Sequence, residues 1–253
     1  MLFAEWRLIS TGPADCYVNM AIDEATLILA GEGRVPPTVR IYQWESPCQT
    51  IGYLQELSRL QLSQAGQSSW KCVRRLTGGQ SCLHGGDLSY SLVISLGDTL
   101  IPFNVLESYQ RVSAGVIEGL RLLGIDARCS PPAEIQATGH IIATAAQARR
   151  QGVLLHQGTI SLAPGGASSP PILPYRSLTP LNDVVGGEID IENAIRALGM
   201  GFRRALGVDL SPSVLFAKEK RLARQLLRDK YMRPEWTLSR QPRRVVSSPE
   251  SEP

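Results

Sequence analysis

The sequence has few of the features that mark secreted, membrane-bound or metal-dependent proteins. No stretch approaches twenty consecutive apolar residues, so we expect no membrane-spanning helix. The opening residues, MLFAEWRLISTGPAD, lack the basic-then-apolar order of a signal peptide. The five cysteines are an odd number without a CxxC pair, which favours reduced thiols in a cytoplasm over a disulfide framework. The three histidines lack HxxxH spacing, so no metal site is predicted.

The weak charge excess gives no support for nucleic-acid binding. The 253 residues carry a formal net charge of +3, which is too small by itself to indicate a nucleic-acid-binding surface. With 43% hydrophobic and 19% charged residues, the composition is typical of a globular protein. We therefore expect a cytoplasmic protein that binds neither nucleic acid nor a membrane.

Periodic patterns in the first part of the chain predict one helix and three strands. Apolar residues at helical spacing follow Pro13 and continue to about Ala30, which predicts a helix. The segment TVRIYQW is typical of a short strand, and a second strand is expected from Trp70 to Arg75. From Leu88 to Leu96, apolar residues alternate with small polar ones, as in a half-buried strand.

The later part of the chain predicts three helices. Asn104 precedes Glu107 by three residues, a spacing that resembles a capping box. The helix that it opens is expected to end at Gly124. Two further helices are expected over Ile191–Leu206 and Val214–Tyr231.

These elements together predict an α+β fold with a mixed, largely antiparallel sheet flanked by helices. Two more strands are expected between residues 134 and 161. The Pro-, Gly- and Ser-rich stretch over 163–180 is too long for a simple connector, so we expect a lid, a binding loop or a disordered segment. We expect a single domain over residues 1–240 and a disordered tail over 241–253.

The most informative segment is RRLTGGQSCLHGGDLSYSL, residues 74–92. Two adjacent arginines end a strand, and Gly78 and Gly79 let the backbone turn with its N–H groups exposed. Backbone donors beside guanidinium groups suit a carboxylate, a phosphate or a thioester carbonyl. The alternative is a glycine-rich hairpin with solvated arginines, and the pattern alone favours neither interpretation.

This segment resembles the signature RR-x-TGG-x-x-x-x-H-x-x-DL-x-YS of the lipoate-protein ligase and octanoyltransferase family, a branch of the biotin/lipoate ligase superfamily. Other segments resemble the family's in the same order: PADCYVNMAIDEA, VRIYQWESPCQTIGYLQ and GHIIATAAQARRQGVLLHQGTISL. The segment KYMRPEWTL resembles the closing segment of single-domain octanoyltransferases. The resemblance therefore spans roughly residues 5–238.

The resemblance implies the catalytic-domain fold of the biotin/lipoate ligases and a tunnel for an octanoyl or lipoyl chain. It places the carbonyl and carrier side of the pocket at the signature, with the strand that bears Gln147 and His156 opposite. The substrate-binding residues that it implies are Arg74, Arg75, Thr77, Gly78, Gly79, His84, Gly139, Gln147, His156 and Gly158.

Two subgroups of the family differ in how they activate the acyl group. ATP-dependent ligases use ATP and Mg²⁺ to make an acyl-adenylate and often carry a C-terminal accessory domain, for which we expect no room after Trp236. Single-domain octanoyltransferases need no cofactor, because they pass the acyl group through a cysteine thioester. Cys129 lies in the comparable place, in a loop shorter than expected. The alternative is that Cys129 packs as a small hydrophobe.

One departure from the family pattern concerns a lysine. The family segment G-R/K-K-I-x-G-x-A-Q reads GHIIATAAQ here, with Ile141 in the place of the lysine. A lysine there would stabilise the carbonyl oxygen of the acyl group and lower the pKa of a nearby thiol, and an isoleucine does neither. His140, Lys71, Arg149 and Arg150 are candidates to replace it, although such arginines are more often solvated.

Three hypotheses about function follow. The first is a transferase that moves octanoyl or lipoyl from an acyl carrier protein to a lysine of a lipoyl-domain protein, such as the glycine-cleavage H protein or a dehydrogenase E2 subunit. The second is an ATP-dependent lipoate ligase. The third, favoured by Ile141, is a non-catalytic relative that binds acyl groups or carrier proteins. The basic segment over residues 218–244 would steer an acidic carrier or is a solvated helix face.

Overall fold

The computed structural model describes residues 5–58, 61, 71–165 and 171–240. The expected tail over 241–253, Trp70 of the expected second strand and residues 166–170 of the expected loop lie outside these residues. The assignment of residues 1–240 to a single domain stays a prediction.

Two sheets occupy the described part of the chain. The strand bounds are β1 Trp6–Ala14, β2 Thr38–Trp44, β3 Cys48–Ile51, β4 Lys71–Arg74, β5 Cys82–His84, β6 Asp87–Ser95, β7 Ala127–Ser130, β8 Glu134–Ala137, β9 His140–Arg150, β10 Val153–Ser161 and β11 Leu210–Ser213. The larger sheet has the order β11–β1–β2–β6–β10–β9–β8–β7, and the smaller sheet has the order β4–β3–β5. The β1–β2, β1–β11 and β3–β4 pairs are parallel and the other pairs are antiparallel. The predicted α+β fold with a mixed, largely antiparallel sheet is confirmed.

The helices begin at capping residues that the sequence supplies. Their bounds are α1 Cys16–Gly31, α2 Val105–Leu122, α3 Leu181–Val185, α4 Ile191–Leu206, α5 Ala217–Leu226 and α6 Pro234–Ser239, with a π-helical turn over Leu227–Tyr231. The Asp15 carboxylate accepts the Tyr17 backbone N–H at the start of α1. The Asn104 side chain accepts the Glu107 backbone N–H at the start of α2, so the predicted cap is confirmed. None of these helices is long and apolar enough to cross a membrane.

Two sequence predictions about element boundaries are wrong. The region over 134–161 forms three strands instead of two, because the chain reverses at Thr138 and Gly139, both of which have positive φ. The last long helix begins at Ala217 instead of Val214. The Glu219 side chain accepts the Phe216 backbone N–H, which caps the helix at that point.

The two faces of the larger sheet have different roles, as the alternation along β6 shows. Leu88, Tyr90, Leu92 and Ile94 are buried beneath α2 and α4 in the main hydrophobic core, where each apolar side chain contributes about 1.5–3 kcal/mol. We call this the core face. Ser89 and the other residues of β6 that alternate with these apolar ones point the opposite way, towards α1 and the smaller sheet. We call this the cavity face.

A close approach of α2 and α4 seals the core face. A Cβ on Gly201 would lie 2.3 Å from the Gly115 carbonyl oxygen, so the helices can meet only because both positions lack side chains. The core face is therefore filled by protein, and space for a ligand lies on the cavity face.

Candidate active site

A cavity of about 310 Å³ lies between the cavity face of the larger sheet and the smaller sheet. Ser89, Gln157 and Thr159 line it from the larger sheet, and Thr50 and His84 line it from the smaller sheet. The most exposed side of the cavity is formed by Gly79, Gln80, Pro132, Glu134 and Arg176, and we call these five residues the rim.

The two signature arginines have different tasks. Arg75 lines the cavity, and its guanidinium donates to the hydroxyls of Thr77 (3.1 Å) and Thr50 (3.2 Å) and to two backbone carbonyls. It has no carboxylate partner among the described residues. Burial lowers the pKa of Arg75, yet a guanidinium keeps its proton in proteins. The cavity therefore contains a buried positive charge.

Arg74 points away from the cavity and holds the surrounding chain together. Its guanidinium donates to four backbone carbonyls, three of them in the turn over 52–55 and one at Thr237 of α6. Its own carbonyl accepts the indole N–H of Trp236 at 2.9 Å. Arg74 therefore does not line the cavity, and its hydrogen bonds in the structure anchor the surrounding chain.

The glycine turn shapes the rim beside Arg75. Gly79 has φ of +82°, a conformation that glycine adopts without strain. Its carbonyl passes so close to Gly52 that a Cβ there would lie 2.0 Å from the oxygen. Gly78 and Thr77 do not line the cavity. The Thr77 hydroxyl instead donates to the Gln157 side-chain oxygen at 2.8 Å.

A histidine–aspartate pair lies in the buried part of the cavity. The His84 Nδ1 is 2.8 Å from Asp87 Oδ2 and its Nε2 is 2.9 Å from the Thr50 hydroxyl, while Trp44 stacks on the ring. Asp87 also accepts the Trp44 indole N–H and the Thr159 hydroxyl. Burial raises the pKa of Asp87, but His84, the Thr159 hydroxyl and the Gly85 backbone N–H outweigh it and lower the pKa overall.

Gln147 and His156 lie on the core face, opposite the cavity. They are direct partners in the β9–β10 register, and the His156 Nδ1 is 2.9 Å from the Gln147 side-chain nitrogen. Burial lowers the pKa of His156 to about 3. Successive residues of a strand point to opposite faces, so the neighbours Ala146 and Gln157 line the cavity in their place.

Of two further glycines predicted to bind substrate, one lines the cavity and the other does not. Gly158 lines the cavity through its backbone, and a Cβ there would lie 2.3 Å from the Tyr90 ring. Gly139 lies in the β8–β9 turn with φ of +85° and does not line the cavity. Among the predicted binding residues, the cavity therefore brings together Arg75, Gly79, His84 and Gly158.

The structure does not place the Cys129 side chain in the cavity. Cys129 pairs with Ile135 across the β7–β8 edge pair, and Ile135 is buried in the main core. Directly opposite residues share a face, so the Cys129 side chain lies on the core face. Burial is the main cause that raises the pKa of Tyr90, and the nearby Tyr109 and Cys129 side chains raise it further. The Cys129 thiol is therefore close to Tyr90, which lies on the core face.

The residues next to Cys129 nevertheless lead to the rim. Ser130 pairs with Glu134, and Pro132 and Glu134 are rim residues. Among the five cysteines, Cys129 is the one whose side chain is not buried. Cys82 is the cysteine that lines the cavity, and burial raises its pKa to about 12.

None of the residues expected to replace the family lysine lines the cavity. His140 is exposed, and Lys71 pairs with Asp15 at the surface. Arg149 donates to the Phe103 carbonyl and the Ser108 hydroxyl, and Arg150 stacks over a tyrosine ring.

The cation that reaches the rim is Arg176, which sequence reasoning did not identify. Its guanidinium forms an ion pair of 2.6 Å with Glu134. Arg176 belongs to the Pro-, Gly- and Ser-rich stretch over 163–180, for which a lid, a binding loop or a disordered segment was expected. That expectation was the sequence feature that could have drawn attention to Arg176. Asp23 was also missed: it accepts Gln157 Nε2 at 2.7 Å and so orients a cavity side chain.

A cavity of this size, lined by apolar groups and a few polar side chains, is typical of a small-molecule site. The family model for the lipoyl protein ligase A/B catalytic domain matches residues 15–203. The chain belongs to the lipoyl protein ligase A/B catalytic domain family, as its sequence predicted.

Curated relatives resemble the chain over nearly its whole length. The octanoyltransferase LipM of Kyrpidia tusciae is 33% identical, with 91% of this chain and 97% of the relative covered. The octanoyltransferase LipM of Geobacillus kaustophilus is 32% identical, with 93% of this chain and 98% of the relative covered. The chain is thus similar to proteins named as octanoyltransferases.

Solved structures of ligases have the same fold. A lipoate-protein ligase A bound with ATP is 27% identical, with a TM-score of 0.77 and coverage of 92% of this chain and 98% of that chain. A protein from T. acidophilum with bound lipoic acid is 26% identical, with a TM-score of 0.76 and coverage of 92% and 99%. These neighbours bind ATP and lipoic acid on the fold that this chain shares.

Proposed function

We propose that this chain is an octanoyltransferase of protein lipoylation, which moves an octanoyl group from an acyl carrier protein to a lysine of a lipoyl-domain protein. The observation that carries the proposal is a cavity of about 310 Å³ with a buried guanidinium and an open rim. Its volume is at the small end of the roughly 300–1,000 Å³ range of ligand pockets, which suits a single medium-length acyl chain.

The reaction divides into two acyl exchanges. In the first, the enzyme's thiol attacks the carrier thioester: a C–S bond forms to the enzyme, the C–S bond to the carrier breaks, and the carrier thiolate takes the proton released by the enzyme thiol. In the second, the neutral lysine amine attacks the enzyme thioester. The amide C–N bond forms, the C–S bond breaks, and one amine proton returns to the thiol. No ATP is consumed because the energy comes from the carrier thioester.

Cys129 is our candidate for the acceptor thiol. Its side chain is the least buried of the five cysteines, and the residues that follow it lead to the rim. Burial raises its pKa, so the thiolate needs further stabilisation at the rim. Because Cys129 lies on an edge strand beside Ser130, a one-residue change in register would turn its thiol from the core face to the cavity face.

A second candidate function is ATP-dependent lipoate ligation, with ATP and Mg²⁺ as cofactors. The observation that favours it is the similarity to the ATP-bound lipoate-protein ligase A. The lipoyl-domain acceptor is the same in both functions, and a glycine-cleavage H protein and a dehydrogenase E2 lipoyl domain are suitable probes. The third hypothesis, a non-catalytic acyl-binding relative, predicts binding without transfer.

The intact mass of the protein after incubation with octanoyl-acyl carrier protein tests the proposal. We expect an adduct of one octanoyl group, which disappears when a lipoyl domain is added and is absent in Cys129→Ala. The matched variant Cys82→Ala should keep the adduct. If the adduct persists in Cys129→Ala and is lost in Cys82→Ala, the acceptor is Cys82. If wild-type protein forms no adduct but releases pyrophosphate from ATP with lipoate, the second candidate function, ATP-dependent lipoate ligation, is correct.

A further inference from the structure

The rim contains a cation in a position that no motif assigns. Arg176 lines the cavity beside Glu134, and its side chain is 43% exposed, whereas Arg75 is buried. These two are the cationic side chains that line the cavity in the described part of the chain. A substrate therefore meets a positive charge inside the cavity and the Arg176–Glu134 ion pair at its opening.

The donors of Arg75 are almost fully used by the protein. Its Nε and Nη1 donate to threonine hydroxyls, and its Nη2 donates to the carbonyls of Gly78 and Gln80. A guanidinium has five N–H donors, so Arg75 has one left for a ligand. Its main contribution is to hold the glycine turn open beside the cavity.

Arg176 is used much less. Its Nη2 lies near Glu134, and its remaining N–H groups have no side-chain or carbonyl partner among the described residues. Its backbone is held firmly, because the Arg176 N–H donates to the Ser81 carbonyl and Tyr175 forms a bridge with Ser81. Arg176 is therefore held at the rim by its backbone, and its guanidinium has N–H donors without a partner among the described residues that are available to a ligand.

The segment that carries Arg176 is attached to the residue that stands in the place of the family lysine. The Thr179 backbone N–H donates to the Ile141 carbonyl at 2.8 Å. Ile141 itself does not line the cavity. Arg176 therefore lies on the segment that borders Ile141 of β9, three residues before this contact.

We infer that Arg176 binds the carbonyl oxygen of the acyl group at the rim and stabilises the negative charge that develops on it, the task for which Ile141 is unsuited. The inference rests on the proposed acyl transfer. The guanidinium donates an N–H to the oxygen and keeps its proton throughout, so no bond to Arg176 forms or breaks. Glu134 keeps the guanidinium in place through their ion pair and lowers its net attraction for anions.

The first experiment compares Arg176→Gln with Arg196→Gln, a matched change on the exposed surface of α4. Octanoyl transfer from carrier to lipoyl domain should slow roughly ten- to hundredfold in Arg176→Gln and remain unchanged in Arg196→Gln. The double variant Arg176→Gln, Ile141→Lys should recover most of the rate, because the lysine restores the charge from β9. A purely structural role for Arg176 would not be rescued by a lysine elsewhere.

A second readout does not depend on activity. Octanoate binding, measured by calorimetry, should weaken in Arg176→Gln and strengthen in Glu134→Gln, whereas binding of neutral octanamide should change much less in Glu134→Gln. Transfer by Arg176→Gln at the wild-type rate would overturn the inference and leave the proposed function intact. If Arg176→Gln is slow and Ile141→Lys does not restore its rate, the inference that Arg176 takes the place of the family lysine would be overturned. Inactivity of the wild-type protein would overturn both proposals.

Discussion

The buried His156 predicts how the stability of this protein depends on pH. Its ring is fully buried, with Nε2 3.2 Å from the Tyr90 hydroxyl and Nδ1 2.9 Å from the Gln147 side-chain nitrogen. Burial lowers its pKa from 6.5 to about 3. The folded protein therefore holds this imidazole in its neutral form throughout the mildly acidic range.

The size of the effect follows from proton linkage. Below its ordinary pKa, His156 gains a proton in the unfolded chain but not in the folded one, so the free energy of unfolding decreases as the pH falls. Between about pH 7.5 and about pH 5.5 the loss from this residue is about 1.4 kcal/mol. At lower pH the loss continues at about 1.4 kcal/mol per pH unit until the pH approaches the folded pKa of about 3.

Urea denaturation of the wild-type protein, His156→Gln and His140→Gln at both pH values tests this prediction. His140 is exposed, so His140→Gln should lose as much stability on acidification as the wild-type protein. The loss in His156→Gln should be smaller by about 1.4 kcal/mol, because glutamine does not titrate. Equal losses in the wild-type protein and His156→Gln would mean that the folded protein protonates this ring, and the reasoning from burial would be refuted.

Two further predictions concern the residues around the cavity. Gly158→Ala should lower the free energy of unfolding by about 1–3 kcal/mol, because the new Cβ meets the Tyr90 ring; urea denaturation measures the loss, and an unchanged midpoint would contradict the close contact. Arg40→Met should cost about 3–5 kcal/mol, because it leaves the buried Asp23 without its cation. Adding Asp23→Asn should recover part of that loss in a thermal melt, and no recovery would contradict the role of the charge.

The fold could be predicted where local signals were strong. The alternation of β6 and the cap at Asn104 were both visible in the sequence and are confirmed. β4 falls within the strand expected from Trp70 to Arg75, whereas β3, β5 and β11 have at most four residues, too few for a period of two to emerge. Their positions depend on long-range partners, as with the parallel pairing of Trp6 and Leu210.

The candidate site residues were predicted from the family motif by their positions in the sequence. Such a motif does not show on which face of a strand each side chain lies. Arg75 lines the cavity while the adjacent Arg74 holds the 52–55 turn, although both match the signature. The same alternation separates His156 from Gln157 on β10. One residue of displacement along a strand reverses the direction of a side chain, and the sequence alone did not fix that register.

The departures from the family pattern lie at Ile141 and after Cys129, in segments that adjoin the rim, and under the proposed function this placement has a chemical consequence. Arg75, His84 and Gly158 match the family and line the interior of the cavity, which we propose holds the acyl chain. Ile141 and the short segment that follows Cys129 differ from it. The Ile141 carbonyl accepts the Thr179 N–H, three residues after the rim residue Arg176, and the segment that follows Cys129 contains the rim residues Pro132 and Glu134. Under the proposed function, interior residues would contribute to binding the acyl chain in the ground state and the transition state alike, whereas rim residues would meet the carbonyl, where charge develops. We therefore expect this chain to keep the family's acyl group and to stabilise the reacting carbonyl with an arginine from a loop in place of a lysine from a strand.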